Sequence, residues 1–166
     1  MKKRIIFFTL MLTFIMLFAF SCGEAQNDNA DLIGSCTLKV DCITILSNME
    51  KLNPDKVELI PEDGIIVELE DVDIYEGDTV YSVFAREMKA KGIAQSSTDL
   101  GEGMCYISSV AGIAEFDCTE MGGWMYLVNG ESSLLSVNQQ EVLDGDTIEI
   151  RYSCNWGEDI GIVFGE

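Results

Sequence analysis

An α+β fold, a mixed β-sheet crossed by one main helix, is what the sequence predicts, and three observations predict it. Apolar residues recur with period two early and late in the chain, one stretch carries a helical stripe, and Gly, Asn and Asp turn signals punctuate the rest. In chain order, Leu38, Val40, Cys42 and Thr44 alternate with Thr37, Lys39, Asp41 and Ile43, which reads as a strand. Residues 45–52 suit one or two helical turns, stopped by Asn53-Pro54. Ile65, Ile66, Val67, Leu69, Val72 and Ile74 mark a long strand over 64–75. Glu76-Gly77-Asp78 turns into the main helix, with Asp78 or Thr79 able to cap its free N–H groups. Val80, Val83, Phe84 and Met88 share one face of that helix. Lys89 and Lys91 sit at its negative end, and Gly92 stops it.

Residues 96–103 read as a polar loop. Residues 105–109 and 113–118 form a predicted hairpin around Ala111-Gly112, and 123–128 a strand ended by Asn129-Gly130. Asp144-Gly145-Asp146 leads into a last strand, where Ile148 and Ile150 alternate with Glu149 and Arg151. Two strands, a helix and then short strands make a β-grasp-like arrangement, in which the first and last strands run parallel and adjacent. The stretches Glu76-Gly77-Asp78-Thr79-Val80 and Asp144-Gly145-Asp146-Thr147-Ile148 read as two turns of the same chemistry, not as a duplication.

The N-terminus reads as an export signal. Lys2, Lys3 and Arg4 precede an uncharged, mostly apolar run over 5–20, and Ser21 and Cys22 follow it. That run is short for a relaxed membrane span, which takes about 20 residues. Ala19-Phe20-Ser21-Cys22 resembles the bacterial lipobox, so lipidation of Cys22 is expected, and two acyl chains on one residue anchor stably. The other reading is ordinary cleavage with Cys22 left as a thiol. The expected organisation is a signal peptide over 1–21, an acidic tether over 22–34 and one domain over 35–166, held at the cell membrane and facing away from the cytoplasm.

The 166-residue chain carries 29 acidic against ten basic residues, a formal charge of −19. Such a surface repels nucleic acid and anionic lipid headgroups. It reads as a solvated face rather than a calcium-binding one. There is no His, which removes His-based triads, the common zinc sites and the usual neutral-pH proton shuttle. No phosphate loop or nucleophile elbow is present. A binding protein, with no metal and no required cofactor, is therefore expected rather than an enzyme.

Five cysteines follow Cys22, in a setting that permits disulfides. A two-residue turn at Ala111-Gly112 would set Cys105 opposite Cys118, within bridging distance. Cys42 and Cys154 both stand at the C-terminal ends of the two parallel strands, so they can meet. Cys36 lies six residues before Cys42, roughly 20 Å back along a strand, and is left unpaired. The alternative joins Cys36 to Cys118 and frees Cys105.

Four motifs, taken in order, carry a resemblance. These are Tyr106-Ile107-Ser108-Ser109-Val110-Ala111-Gly112, Trp124-Met125-Tyr126-Leu127, Ser133-Leu134-Leu135-Ser136 and Gly145-Asp146-Thr147-Ile148-Glu149-Ile150-Arg151. Over residues 72–154 the chain resembles the C-terminal β-domain of the cobalamin carriers, the transcobalamin and intrinsic factor family. It is also similar to bacterial surface lipoproteins that carry a transcobalamin-like domain. The resemblance implies a β-grasp-like domain that covers one face of a corrinoid such as cobalamin. Position by position, it implies ligand contact for Ile107, Tyr126 and Leu134, flanked by Tyr106, Trp124 and Leu135. In the carriers an α-helical barrel covers the other face. No such stretch occurs in this sequence, so the resemblance implies a separate helical-barrel partner. The contrasting expectation is a protein-interaction or adhesion module, in which the same apolar residues dock another envelope protein. Trp124 in particular reads as core at least as readily as ligand wall, whereas adjacent Leu134 and Leu135 between turns lack a core-facing period.

Overall fold

The computed structural model describes residues 30–162. The signal segment, Cys22 and most of the tether lie outside them. Among the described residues, no helix is long and apolar enough to cross a membrane.

Two sheets share one core. The larger holds β1 (Leu32–Asp41), β2 (Ile65–Tyr75), β6 (Gly123–Val128), β7 (Glu131–Ser132) and β8 (Thr147–Ser153), in the order β2-β1-β8-β6-β7. The smaller holds β3 (Gln95–Gly101), β4 (Met104–Val110) and β5 (Ile113–Ala114). β1 and β8 are the parallel pair, with Leu38 opposite Ile148 and Val40 opposite Ile150, and the other pairings are antiparallel. Alternation explains this centre. Cys36, Leu38 and Val40 from β1 and Ile148, Ile150 and Tyr152 from β8 are all buried, while the residues between them are more open. They join one core with Val80, Val83, Phe84 and Met88 of helix α1 (Val80–Ala90).

The apolar run over 65–74 breaks strict alternation, and β2 shows why. Leu38 pairs with Leu69 but Cys36 pairs with Val72, so one extra residue bulges from β2. Asp71 takes the left-handed backbone there, at φ 53°. The buried positions pass from Val67 to Val72 and Ile74, and the strand keeps facing the core across the bulge.

Helix α1 is capped by Thr79, whose side chain accepts from the Ser82 N–H while Ser82 Oγ accepts from the Thr79 N–H. At its far end Gly92, at φ 68°, donates to Lys89 O, and Ile93 donates to Met88 O. This is a Schellman closure. The two look-alike turns are alike in structure. Asp78 accepts from the Tyr75 N–H and Asp146 from the Leu143 N–H, each across a left-handed glycine.

Several expectations need correction. Residues 95–101 are a strand, not a loop: β3 pairs along β4 through its backbone while nearly all its side chains face solvent, so no apolar pattern announces it. The hairpin at Ala111-Gly112 has the predicted register, Val110 opposite Ile113 and Ser109 opposite Ala114, but β5 stops at Ala114. β1 begins at Leu32, inside the segment expected as tether. Residues 54–59, beyond the predicted stop, form a 3-10 turn whose start is capped by the Asn53 side chain. All five described cysteines are thiols, so neither the Cys42–Cys154 nor the Cys105–Cys118 bond is present. The early end of β5 lets the chain leave β4. Phe116 turns at φ 64°, and Cys118 comes to rest under β8, with its N–H donating to the Tyr152 hydroxyl. Cys105 stays on β4, opposite Asp99.

Candidate functional site

Where β4 of the small sheet meets β6 of the large one, a cavity of about 300 Å³ opens between them. All six residues singled out from the sequence line it: Tyr106 and Ile107 from β4, Trp124 and Tyr126 from β6, and Leu134 and Leu135 from the loop after β7. The alternation of β6 aims Trp124 and Tyr126 at one face, whereas Leu127 turns to the other and packs with Ile160 and Ile162.

The six play unequal parts. Ile107 and Trp124 are floor, both nearly buried. Trp124 is as much core as wall: its indole N–H donates to Ile113 O at 2.9 Å, and its ring meets Tyr152 edge-on at 5.3 Å. Tyr126 is half-buried and its hydroxyl donates to Leu135 O at 2.7 Å, which ties the loop to β6. Burial pushes the Tyr126 phenol up, opposed by the nearby Ser133 hydroxyl, so it stays a donor at neutral pH. Tyr106 points its hydroxyl to Glu115 at 2.9 Å. Leu134 is fully exposed at 104% and Leu135 is 51% exposed, so both form the rim.

The loop is held from its other side as well. Ser136 Oγ donates to Cys105 O at 2.6 Å and accepts from Cys105 N–H at 2.9 Å, while Asn138 Nδ2 donates to Gly103 O. Two polar side chains thus take the place of a strand partner along the start of β4, and they fix Leu134 and Leu135 over the cavity.

Sequence reading missed Leu100, Met104, Met125, Ser136 and Val137 in the lining. Leu100 was legible only as a lone apolar residue in a polar stretch. Ser136 and Asn138 act through contacts more than thirty residues distant, which no local pattern records. No Asp, Glu, Lys or Arg lines the cavity. Its one thiol, Cys105, is pushed up by burial and then by Asp99. Among the described residues no group of three His, Cys, Asp or Glu is placed to hold a metal ion. The lining can exclude water from a flat apolar surface and offer a few hydrogen bonds, but it lacks a paired acid and base. A larger recess of about 790 Å³ lies elsewhere, beside Cys118 and Cys154, and its walls include Lys51, Glu120 and Asp159. The smaller cavity is the better candidate for an apolar ligand because its walls are mostly apolar.

Comparison with known proteins agrees with this architecture. Residues 77–154 match a family described as a domain of unknown function, DUF4430. The crystal structure of haptocorrin in complex with Cbi aligns with a TM-score of 0.54 at 18% identity, over 77% of this chain and 26% of haptocorrin. This chain thus corresponds to about a quarter of that protein. A structure from Ruminococcus gnavus ATCC 29149 aligns with a TM-score of 0.42 at 14% identity, over 74% of this chain and 98% of that one. No curated protein matches the sequence. Residues 77–154 thus match the DUF4430 family, within a fold like that of the aligned part of haptocorrin.

Proposed function

We propose that this chain is a lipid-anchored binding protein, not an enzyme, whose transcobalamin-like domain lies outside the cytoplasm and contributes one face of a corrinoid site. The observation that carries this reading is the convergence of Ile107, Tyr126 and Leu134, from three separate elements, on one apolar cavity with Leu134 wholly exposed at its rim. The sheet is best described as β-grasp-like. A helix follows the β1–β2 hairpin, and the last strand returns parallel to the first at the centre of the order β2-β1-β8-β6-β7. Haptocorrin, whose aligned part shares the fold, was solved in complex with Cbi.

A shelf with an open side covers only part of a corrinoid, whereas tight sites bury most of a ligand. Affinity of this chain alone is therefore micromolar, about −8 kcal/mol. A helical-barrel partner covering the exposed face would tighten it. Anchoring through Cys22 would hold the shelf near the membrane for such a partner. Titration calorimetry with cobalamin tests the reading. The parent chain should release heat with a micromolar midpoint, and Leu134→Ala and Tyr126→Ala should each cost about 2 kcal/mol of binding. Equal affinity in all three chains would remove the shelf from the account.

Adhesion through the same surface is the second reading, favoured by the exposure of Leu134 and Leu135. It predicts no heat with cobalamin and a loss of partner docking in the Leu134→Ala chain.

A further inference from the structure

Away from the shelf, the sulfurs of Cys118 and Cys154 lie 3.3 Å apart at the floor of the 790 Å³ recess. They come from distant parts of the chain. Cys154 follows the last residue of β8, and Cys118 sits in the loop that leaves β5. Several contacts already join the two segments. Thr119 Oγ1 donates to Cys154 O at 2.6 Å, the Trp156 N–H donates to Met121 O at 3.3 Å, and the Cys118 N–H donates to the Tyr152 hydroxyl at 3.2 Å. Beside each cysteine, two residues away, stands an aromatic residue in the left-handed backbone region, Phe116 at φ 64° and Trp156 at φ 51°. Bulky side chains rarely take that conformation, and it persists only where surrounding contacts impose it. The chain thus turns two residues from each of the two facing thiols.

We propose that Cys118 and Cys154 are an oxidisable pair that closes into a disulfide, with the recess as the path by which a small disulfide reagent reaches them. Cys154 is the first to react. It is the more open of the two sulfurs, its S–H has Thr44 Oγ1 at 3.6 Å and Cys118 Sγ at 3.3 Å as acceptors, and loss of its proton to solvent in the recess gives the thiolate. That thiolate attacks one sulfur of a low-molecular-weight disulfide and expels one small thiol, leaving a mixed disulfide on Cys154. Cys118 then gives up its proton and attacks the Cys154 sulfur, which expels the second small thiol. In total two cysteine S–H bonds are lost and one S–S bond forms, and the reagent takes up both electrons and both protons as two thiols. Cys118 and Cys154 are nearly buried, and burial first, with the Cys154 contact second, pushes Cys118 up to about 12. The bond is therefore slow to exchange once made, as suits a permanent staple rather than a catalytic pair. It would fasten the 115–122 segment to the end of the central strand. Cys105, by contrast, lies on β4 beside Ser136, away from Cys118.

The test is oxidative refolding of the full chain from denaturant in oxidised and reduced glutathione, so that access to the buried sulfurs does not limit the outcome. Cleavage after glutamate, without reduction, separates Cys105 from Cys118 at Glu115 and isolates Cys154 after Glu149. The expected product links the fragment after Glu115 to the fragment after Glu149. Reduction should lower the thermal midpoint by on the order of 10 °C. Cys118→Ser and Cys154→Ser chains should not show that drop. Recovery of Cys118 bound to Cys105, of Cys154 bound to Cys42, or of both thiols free after refolding would overturn the proposal.

Discussion

At the scale of single residues, the thiols in the core make stability depend on pH. Burial is the main cause in each case. It pushes Cys42 and Cys118 up to about 12 and Cys36 to about 11, against an ordinary 9.0, and it also raises the Tyr152 phenol. The unfolded chain releases the thiol protons near pH 9, whereas the folded chain holds them. Stability is therefore fully present below pH 9 and falls as pH rises from 9 towards 11–12. By pH 10 each such thiol should cost about 1 kcal/mol. Urea unfolding of the reduced chain at pH 8 and pH 10 checks this. The midpoint should drop at pH 10, and Cys42→Ala should make the drop smaller. A flat profile across that window would contradict the burial of these groups. Trp124 was the residue whose role sequence left open. The structure gives it both roles, because it is nearly buried in the core and also lines the cavity with Tyr126 and Leu134.

Among elements, legibility followed the hydrophobic phase. β1, β8 and α1 announce themselves because each buries one side of a regular period, and the Ala111-Gly112 turn fixed the hairpin register without help. β3 did not, since Ser96, Ser97, Thr98 and Asp99 carry no apolar side and the strand exists through backbone pairing with β4. β5 was read too long because nothing in residues 115–118 shows the left-handed turn at Phe116. The capping of α1 gives a direct element-scale test. Thr79→Ala removes the acceptor for the Ser82 N–H and should lower stability by about 1 kcal/mol in urea unfolding, while Ser at the same position should restore most of it. No change on removal would mean that the Asp78 carboxylate, which accepts from the Ser82 hydroxyl at 2.7 Å, already suffices to hold the helix start.

For the whole molecule, the parallel contact between β1 and β8 joins the two ends of the domain. Asp41, wholly buried, meets Arg151 at 3.2 Å across that seam. The candidate shelf was legible because its six residues belong to short motifs that keep their order along the chain. The cysteine partners were not, because they depend on how the loop after β5 passes beneath β8. In the proposed site a corrinoid rests on the seam between the two sheets. Two-dimensional NMR of the isotopically labelled full chain, titrated with cobalamin, tests it most directly. Saturable shifts are expected at Tyr106, Ile107, Trp124, Tyr126, Leu134 and Leu135, with the recess at Phe116 and Met121 unmoved. Shifts centred on that recess, or none at millimolar ligand, would contradict it.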